Sequence, residues 1–222
     1  FRMTGGEPMM DHNTYKVFQY IIDHPKDDLH LNITSNMCPP DKKLKTKYFN
    51  MLQTICMQEK VEHVMQFVSV DAWAKQAEYI RFGLEFNRMW DNVDEFLERI
   101  PQRNSVTFII TYNNLSVVSM RKLLEGIFEL RKRHSKTYQR VWFDIPLLRQ
   151  PEWQQITMLP EAYQEIHKDN IAYMQQNSGE DQGYAVFKDF EIQKMLRNLS
   201  QWRIEKSNLT QDKKNFYAFF SE

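Results

Sequence analysis

The chain has 222 residues, 42% of them hydrophobic and 26% charged, which suffices for one globular domain with a sizeable core. Lys and Arg number 29, as do Asp and Glu, and this zero net charge argues against general nucleic-acid binding and against anionic membranes. Every apolar run is shorter than the roughly 20 residues that span a bilayer, and Cys38 and Cys56 make no disulfide framework, so we expect a cytoplasmic protein.

Apolar periodicity predicts an alternation of strands and helices along the chain. The predicted strands cover 2–4, 29–36, 61–71, 105–114 and 139–146, the last ending at Pro146. The predicted helices cover 11–24, 41–57, 78–100 and 116–134, with Gly83 a weak point, followed by two more at 161–176 and 188–206 and an aromatic run at the end. This order implies a parallel sheet with right-handed crossovers and an α/β fold, with a helical extension after residue 160.

Polar residues follow each of the five predicted strands. Ligands of parallel α/β folds bind at the carboxyl ends of the strands, so these residues would meet at one edge. Each one alone is typical of a turn or a helix cap, and only their coincidence indicates a ligand site. The groups are 4–7, 34–36, 69–71, 111–113 and Asp144.

The adjacent glycines Gly5 and Gly6 are notable because the chain has only six glycines, against roughly fifteen expected at average usage. Glycine permits positive φ and close approach of a ligand to the backbone. Glu7 directly after them is placed to bind a ligand ammonium group. The alternative is a tight turn into a helix, with the carboxylate favoured by the helix dipole. A phosphate loop is disfavoured, because the spacing is not GxGxxG and Glu7 would repel phosphate.

The stretch "TGGEP" at 4–8 resembles the second-strand motif of radical S-adenosylmethionine (SAM) enzymes. Further stretches resemble later strands of that family in order: "NITSN" (32–36), "VSVDAWAKQAEYIR" (68–81), "TFIITYNN" (107–114) and "VWFDIPLLRQPEWQQITMLP" (141–160). The order resembles the members with a short C-terminal SPASM or twitch extension. The resemblance implies strands two to six of a partial (β/α)6 TIM-like barrel over 1–160, with the start of a twitch-type region over 161–222.

The resemblance also implies a SAM site. Gly5, Gly6, Glu7 and Pro8 would contact the methionyl end, with the Glu7 carboxylate on the amino group. Ser69 and Arg81 would be candidates for the ribose or the SAM carboxylate, since an Arg fork binds both oxygens. The remaining rim residues would be Asn36, Asp71 and Asn113. Two alternatives stay open: Arg81 as a helix-surface charge, and Asp71 as a helix N-cap.

Members of this family use a [4Fe–4S] cluster, held by a CxxxCxxC motif, to cleave SAM reductively to a 5′-deoxyadenosyl radical that abstracts hydrogen from a substrate. The chain contains no such motif, and two thiols are too few for a standard cluster. We expect a fragment cut at both ends, with the motif upstream of Phe1, inactive by itself. The resemblance implies a reductant such as flavodoxin or ferredoxin as a partner. The resemblance does not distinguish a peptide, a protein side chain and a small molecule as the substrate. Any auxiliary cluster is expected to be absent or to lie beyond Glu222.

Two other hypotheses stay open: a non-catalytic α/β nucleotide-binding module that has lost the cluster, and a purely structural partner protein. The other reactive residue types are interpreted as structural. The six histidines lack metal-ligand spacing, and Cys56 falls on the apolar face of its helix. Arg131, Lys132 and Arg133 are expected on a solvated helix face near the carboxyl end of that helix.

Overall fold

The computed structural model describes residues 1–179, 183–202 and 209–221. The strands are β1 (Arg2–Met3), β2 (Lys26–Ser35), β3 (Val61–Ser69), β4 (Asn104–Ile109) and β5 (Val141–Asp144). The helices are α1 (His12–Asp23), α2 (Lys42–Met57), α3 (Lys75–Ile80), α4 (Phe86–Arg99), α5 (Met120–His134), α6 (Ala162–Gln176), α7 (Asp189–Gln201) and α8 (Leu209–Ser221). Among these residues, none of the helices is at once long and apolar enough to cross a membrane.

The five strands form one parallel sheet in the order β1-β2-β3-β4-β5. The predicted alternation and parallel pairing are therefore confirmed. Each strand lies beside the next one in the chain, so the described strands show no point at which the strand order reverses, as it does in a doubly wound sheet. All five carboxyl ends consequently lie along one continuous edge.

The two faces of β3 differ in exposure. Val64, Gln66 and Val68 are fully buried, and Tyr48 of α2 donates a 2.7 Å hydrogen bond to the Gln66 Oε1 atom. Met65, which points to the opposite face, is only half-buried. The helices therefore cover one face of this strand, whereas the other face stays accessible.

Several predicted boundaries need correction. The single helix over 78–100 is wrong: α3 ends at Ile80 and α4 begins at Phe86. Gly83 between them has φ +83°, a conformation that a helix cannot contain. The fifth strand ends at Asp144, short of Pro146. At the start of α1, Asp11 accepts a hydrogen bond from the Asn13 amide and caps the helix.

The core continues from the sheet into the C-terminal helices. Phe187, just before α7, stacks on Phe128 of α5 and meets Phe143 of β5 edge-on. The prediction of a solvated basic face is wrong for Arg131, which is fully buried and paired with Glu191 of α7. Periodicity cannot reveal this pair, because its two members are sixty residues apart.

Candidate functional site

The loop after β1 carries the two glycines in left-handed conformations. Gly5 has φ +92° and Gly6 has φ +60°, values that L side chains rarely adopt. A Cβ atom at either position would meet no described atom within 4 Å, so backbone conformation and not crowding requires glycine here. The peptide groups of both residues are left open on the exposed side of the loop.

The carboxylate of Glu7 is held by the end of the neighbouring strand. Its Oε1 atom accepts hydrogen bonds from the Ser35 hydroxyl at 2.5 Å and the Met9 amide at 3.2 Å, and Oε2 accepts from the Asn36 amide at 2.8 Å. Because α1 begins only at His12, the expected placement of Glu7 at a helix start is wrong. Hydrogen bonds from β2, and not a helix dipole, orient this carboxylate.

The Glu7 carboxylate affects the pKa values of two nearby tyrosines. Burial, and then the neighbouring Glu7 carboxylate, raise the pKa of Tyr48 well above its ordinary value. The pKa of Tyr15 is raised by the same two causes, and its hydroxyl donates to the Met9 carbonyl. Both phenols therefore stay neutral hydrogen-bond donors beside the carboxylate.

A second polar group lies after β3 and β4. Asp71 is buried, and its Oδ1 atom accepts from the Thr111 amide at 2.8 Å and from Nη2 of Arg81 at 3.1 Å. The Oδ2 atom lies 2.8 Å from Nε of Arg81. Asp71 therefore joins two strand ends instead of capping a helix, and Arg81 is an ion-pair partner instead of a free surface charge.

The four remaining residues of the predicted site make no contact that points to a ligand. The Asn36 side chain accepts from the Cys38 amide at 2.8 Å, and that of Asn113 accepts from the Leu115 amide at 2.9 Å, so both shape their own loops. Ser69 is the last residue of β3 and is half-buried. Pro8 is buried under the glycine loop.

Two non-glycine residues at this edge adopt unusual backbone conformations. Met37, after β2, has φ 53°, and Ala74, after β3, has φ 52° with ψ −130°. Such conformations carry a free-energy cost and cluster at binding sites, where the surrounding structure over-determines the loop. Glu59 before β3 and Arg103 before β4 also have positive φ, so such conformations occur at both edges of the sheet and do not by themselves mark the site.

The two cysteines do not suit an iron–sulfur cluster. Cys56 is buried, as expected, and burial raises the pKa of its thiol to about 12, which disfavours the thiolate that iron requires. Cys38 is also buried, with Nε of Arg88 3.2 Å from its sulfur. Within the described ranges, no three His, Cys, Asp or Glu side chains are arranged to hold a metal ion.

Sequence reasoning missed two features of this edge. Ser35 was placed on the rim but not in the ligand site, although its hydroxyl orients Glu7. A cleft beyond β4 and β5, lined in part by Arg149 and Thr157, is not predicted, although both residues lie in the stretch 141–160 that resembles a later strand of the family. Asp144, the polar end of β5, pairs with Lys194 of α7 at 2.6 Å.

Comparison of this chain with protein-family models, with curated proteins and with solved structures finds no match in any of the three. The residues and contacts at the sheet edge are therefore what bears on function.

Proposed function

We propose that this edge of the sheet binds S-adenosylmethionine, and that the chain is the SAM-binding part of a radical SAM enzyme built on a partial (β/α)6 barrel. One observation carries the proposal. The open glycine backbone at 5–6 stands beside a Glu7 carboxylate that Ser35 and Asn36 hold in one orientation. A fixed anion beside accessible peptide groups suits an amino-acid end with its ammonium group.

The number of free acceptor positions on Glu7 supports this reading. A carboxylate offers about four lone-pair positions. The hydrogen bonds that described residues donate to Glu7 use two on Oε1 and one on Oε2. One position on Oε2 is therefore left for a ligand ammonium group.

Arg81 is suited to a ligand carboxylate only through part of its guanidinium. Nη2 donates to Asp71 and Nε lies 2.8 Å from its other oxygen, whereas Nη1 makes no hydrogen bond to the described residues and is the part proposed to meet a ligand. The ion pair also holds Arg81 in place before a ligand arrives. Its role in the proposal is to position the carboxylate, not to supply an unpaired charge.

The cluster that the family resemblance implies does not fit the residues present, because both thiols are buried and stand apart. No reaction step through a cluster is therefore assigned to this chain. The accessible glycines at 5–6 also suit a second candidate function, a nucleotide-binding module without radical chemistry. The two candidates differ in what they recognise: the first requires the amino-acid end of SAM, whereas the second requires only the nucleoside.

Isothermal titration of the full chain with SAM, methionine, adenosine and ATP separates the two. The SAM-binding proposal expects SAM to bind and Glu7→Gln to weaken it at least roughly tenfold, as for loss of a hydrogen bond to a charged group. Glu98→Gln, which removes an exposed carboxylate of α4, is the matched control and should leave affinity unchanged. Adenosine or ATP binding that is insensitive to Glu7→Gln would favour the nucleotide module. Absence of binding by all four would overturn both.

A further inference from the structure

A cleft of about 270 Å³ opens just beyond the carboxyl ends of β4 and β5. Tyr112 and Leu147, which form a parallel bridge past the two strands, both line it. Asn198 of α7, which is almost fully buried, closes one side. The cleft therefore belongs to the same sheet edge as Glu7 but to its other end, and it uses none of the residues around the glycine loop.

The lining divides into an apolar wall and a single cation. Leu147, Leu148 and Ile156 supply aliphatic surface, and the solvent-exposed Arg149 supplies the only charged side chain among the described lining residues. Arg149 makes no ion pair with a carboxylate among the described residues, unlike Arg131 or Arg81, which are both paired. An unpaired guanidinium at a cleft wall is a ready partner for an anion.

A second, independent observation comes from Thr157. Its Oγ1 atom is shielded from solvent and has no hydrogen-bond partner within the part of the chain that the structure describes. Buried polar atoms are normally satisfied, so an orphaned hydroxyl at a cleft calls for a partner. Thr157 and Arg149 both line the cleft, so the oxygen of a ligand bound there is a candidate partner for this hydroxyl.

The chemistry of the lining selects the ligand class. One guanidinium balances one negative charge, so a carboxylate fits better than a phosphate dianion. The aliphatic wall favours a short hydrocarbon chain on that carboxylate. The volume lies just below the roughly 300–1,000 Å³ typical of drug-sized pockets, which limits the ligand to about the size of one amino acid.

We propose that this cleft binds a small aliphatic carboxylate, with Arg149 and Thr157 holding the carboxylate oxygens and the leucine–isoleucine wall holding the chain. The group can come from a free acid or from the carboxyl terminus of a peptide. The proposal does not depend on SAM binding, because the two sets of residues are separate.

The test is a titration of the full chain with 4-methylpentanoate, with its neutral amide 4-methylpentanamide, and with the dipeptide N-acetyl-Ala-Leu. The acid should bind saturably and the amide at least about tenfold more weakly, because the amide cannot pair with Arg149. Tighter binding of the dipeptide than of the acid would identify the ligand as the carboxyl terminus of a peptide. Failure of the dipeptide to bind would identify it as a free acid. An acid and an amide of equal affinity, or an acid that does not saturate, would overturn the proposal.

Two variants locate the site. Arg149→Gln should weaken binding of the acid at least roughly tenfold. Thr157→Val, which keeps the side-chain shape, should weaken it roughly fivefold. Lys122→Gln removes one exposed positive charge of α5 outside the lining and should change nothing. Circular dichroism and thermal melting check that each variant is folded. Unchanged affinity in both Arg149→Gln and Thr157→Val would place binding elsewhere and refute the assignment.

Discussion

The Ser35 hydroxyl donates a 2.5 Å hydrogen bond to the Oε1 atom of Glu7, joining the loop after β1 to the end of β2. The same hydroxyl oxygen accepts from the Met37 amide at 2.9 Å. One buried side chain thus orients the proposed ligand-binding carboxylate and also supports the strained turn at Met37.

Ser35→Ala should therefore lower the free energy of unfolding by about 2 kcal/mol, since a charged acceptor and a buried amide both lose a partner. Urea denaturation measures this loss. Thr46→Ala, which removes an exposed hydroxyl on α2, is the control and should change stability by less than about 0.5 kcal/mol. If SAM binds as proposed, Ser35→Ala should also weaken it severalfold. Equal stability of the two variants would contradict the role given to Ser35.

The buried ion pair of Arg131 and Glu191 should be the most sensitive contact between α5 and α7. Arg131 also donates to the Val141 and Val186 carbonyls, so its removal leaves the buried Glu191 carboxylate without a countercharge and takes one donor from each carbonyl. We expect Arg131→Met to cost about 3–5 kcal/mol in chemical denaturation.

The control for this prediction is Lys168→Met, which breaks an exposed pair with Glu165 and should cost less than about 1 kcal/mol. The double variant Arg131→Met/Glu191→Met should recover much of the loss, because no charge then stays buried alone. A single variant as mild as the control would show that α7 is not held by this pair.

Gly126 of α5 should resist replacement by alanine, although alanine is the better helix former by about 1 kcal/mol. A Cβ atom there would overlap the Trp73 ring and come within 2.9 Å of Trp90. The two indoles also pack against each other with ring centres 4.9 Å apart, so neither ring can move aside without disturbing the other. We expect Gly126→Ala to lower stability by about 1 kcal/mol net, as overpacking outweighs the helix propensity.

A double-mutant cycle tests this explanation. In a Trp73→Phe background the smaller ring leaves room, so Gly126→Ala should become neutral or stabilising. Urea melts followed by tryptophan fluorescence give the four free energies. An equal cost in both backgrounds would rule out the clash with Trp73.

Stability should fall in mild acid because of His167. Its Nε2 atom lies 2.8 Å from the Met195 carbonyl and must donate, so Nδ1 accepts from the Tyr112 hydroxyl at 2.8 Å and the ring is neutral. Burial lowers the pKa of His167 from 6.5 to about 4, with the hydrogen bond to Met195 opposing that shift.

Between these two pKa values the unfolded chain binds a proton that the folded chain does not, so stability rises with pH there and is lost as pH falls from about 6.5 to about 4. The loss attributable to this group is about 3 kcal/mol. The free energy of unfolding is measured across this pH range for the wild type and for His167→Gln. The difference between the two profiles gives the contribution of His167. Parallel profiles for the two proteins would show that His167 does not titrate in this way.

Local signals along the chain foretold most of the elements. The apolar repeat of α1 with Asp11 before it, and the dense apolar run of β3, depend only on residues close in sequence. The error over 78–100 is also instructive, because the apolar period continues through Gly83 while the backbone does not. A period describes which face is buried and says nothing about whether the helix is continuous.

The site was foreseen only in part. Gly5, Gly6 and Glu7 stand out in the sequence because glycine is scarce and a carboxylate follows. The sequence does not show which residue orients Glu7, because the Ser35 hydroxyl comes within hydrogen-bond distance of it only when β1 and β2 pair in the observed register. The hydrogen bond from the Thr111 amide to Asp71 depends likewise on how β3 and β4 align.

Periodicity and strand ends are local properties of the chain, so they predict the alternation of strands and helices, the parallel sheet and the edge at which polar residues gather. The partners of the polar groups emerge only in the folded protein: Glu7 with Ser35, Asp71 with Arg81, and Arg131 buried against Glu191. The fold also leaves Arg149 without an acidic partner among the described residues. Electrostatic and hydrogen-bond partners are chosen by proximity in space, and proximity between distant segments follows from packing, not from the order of residues along the chain.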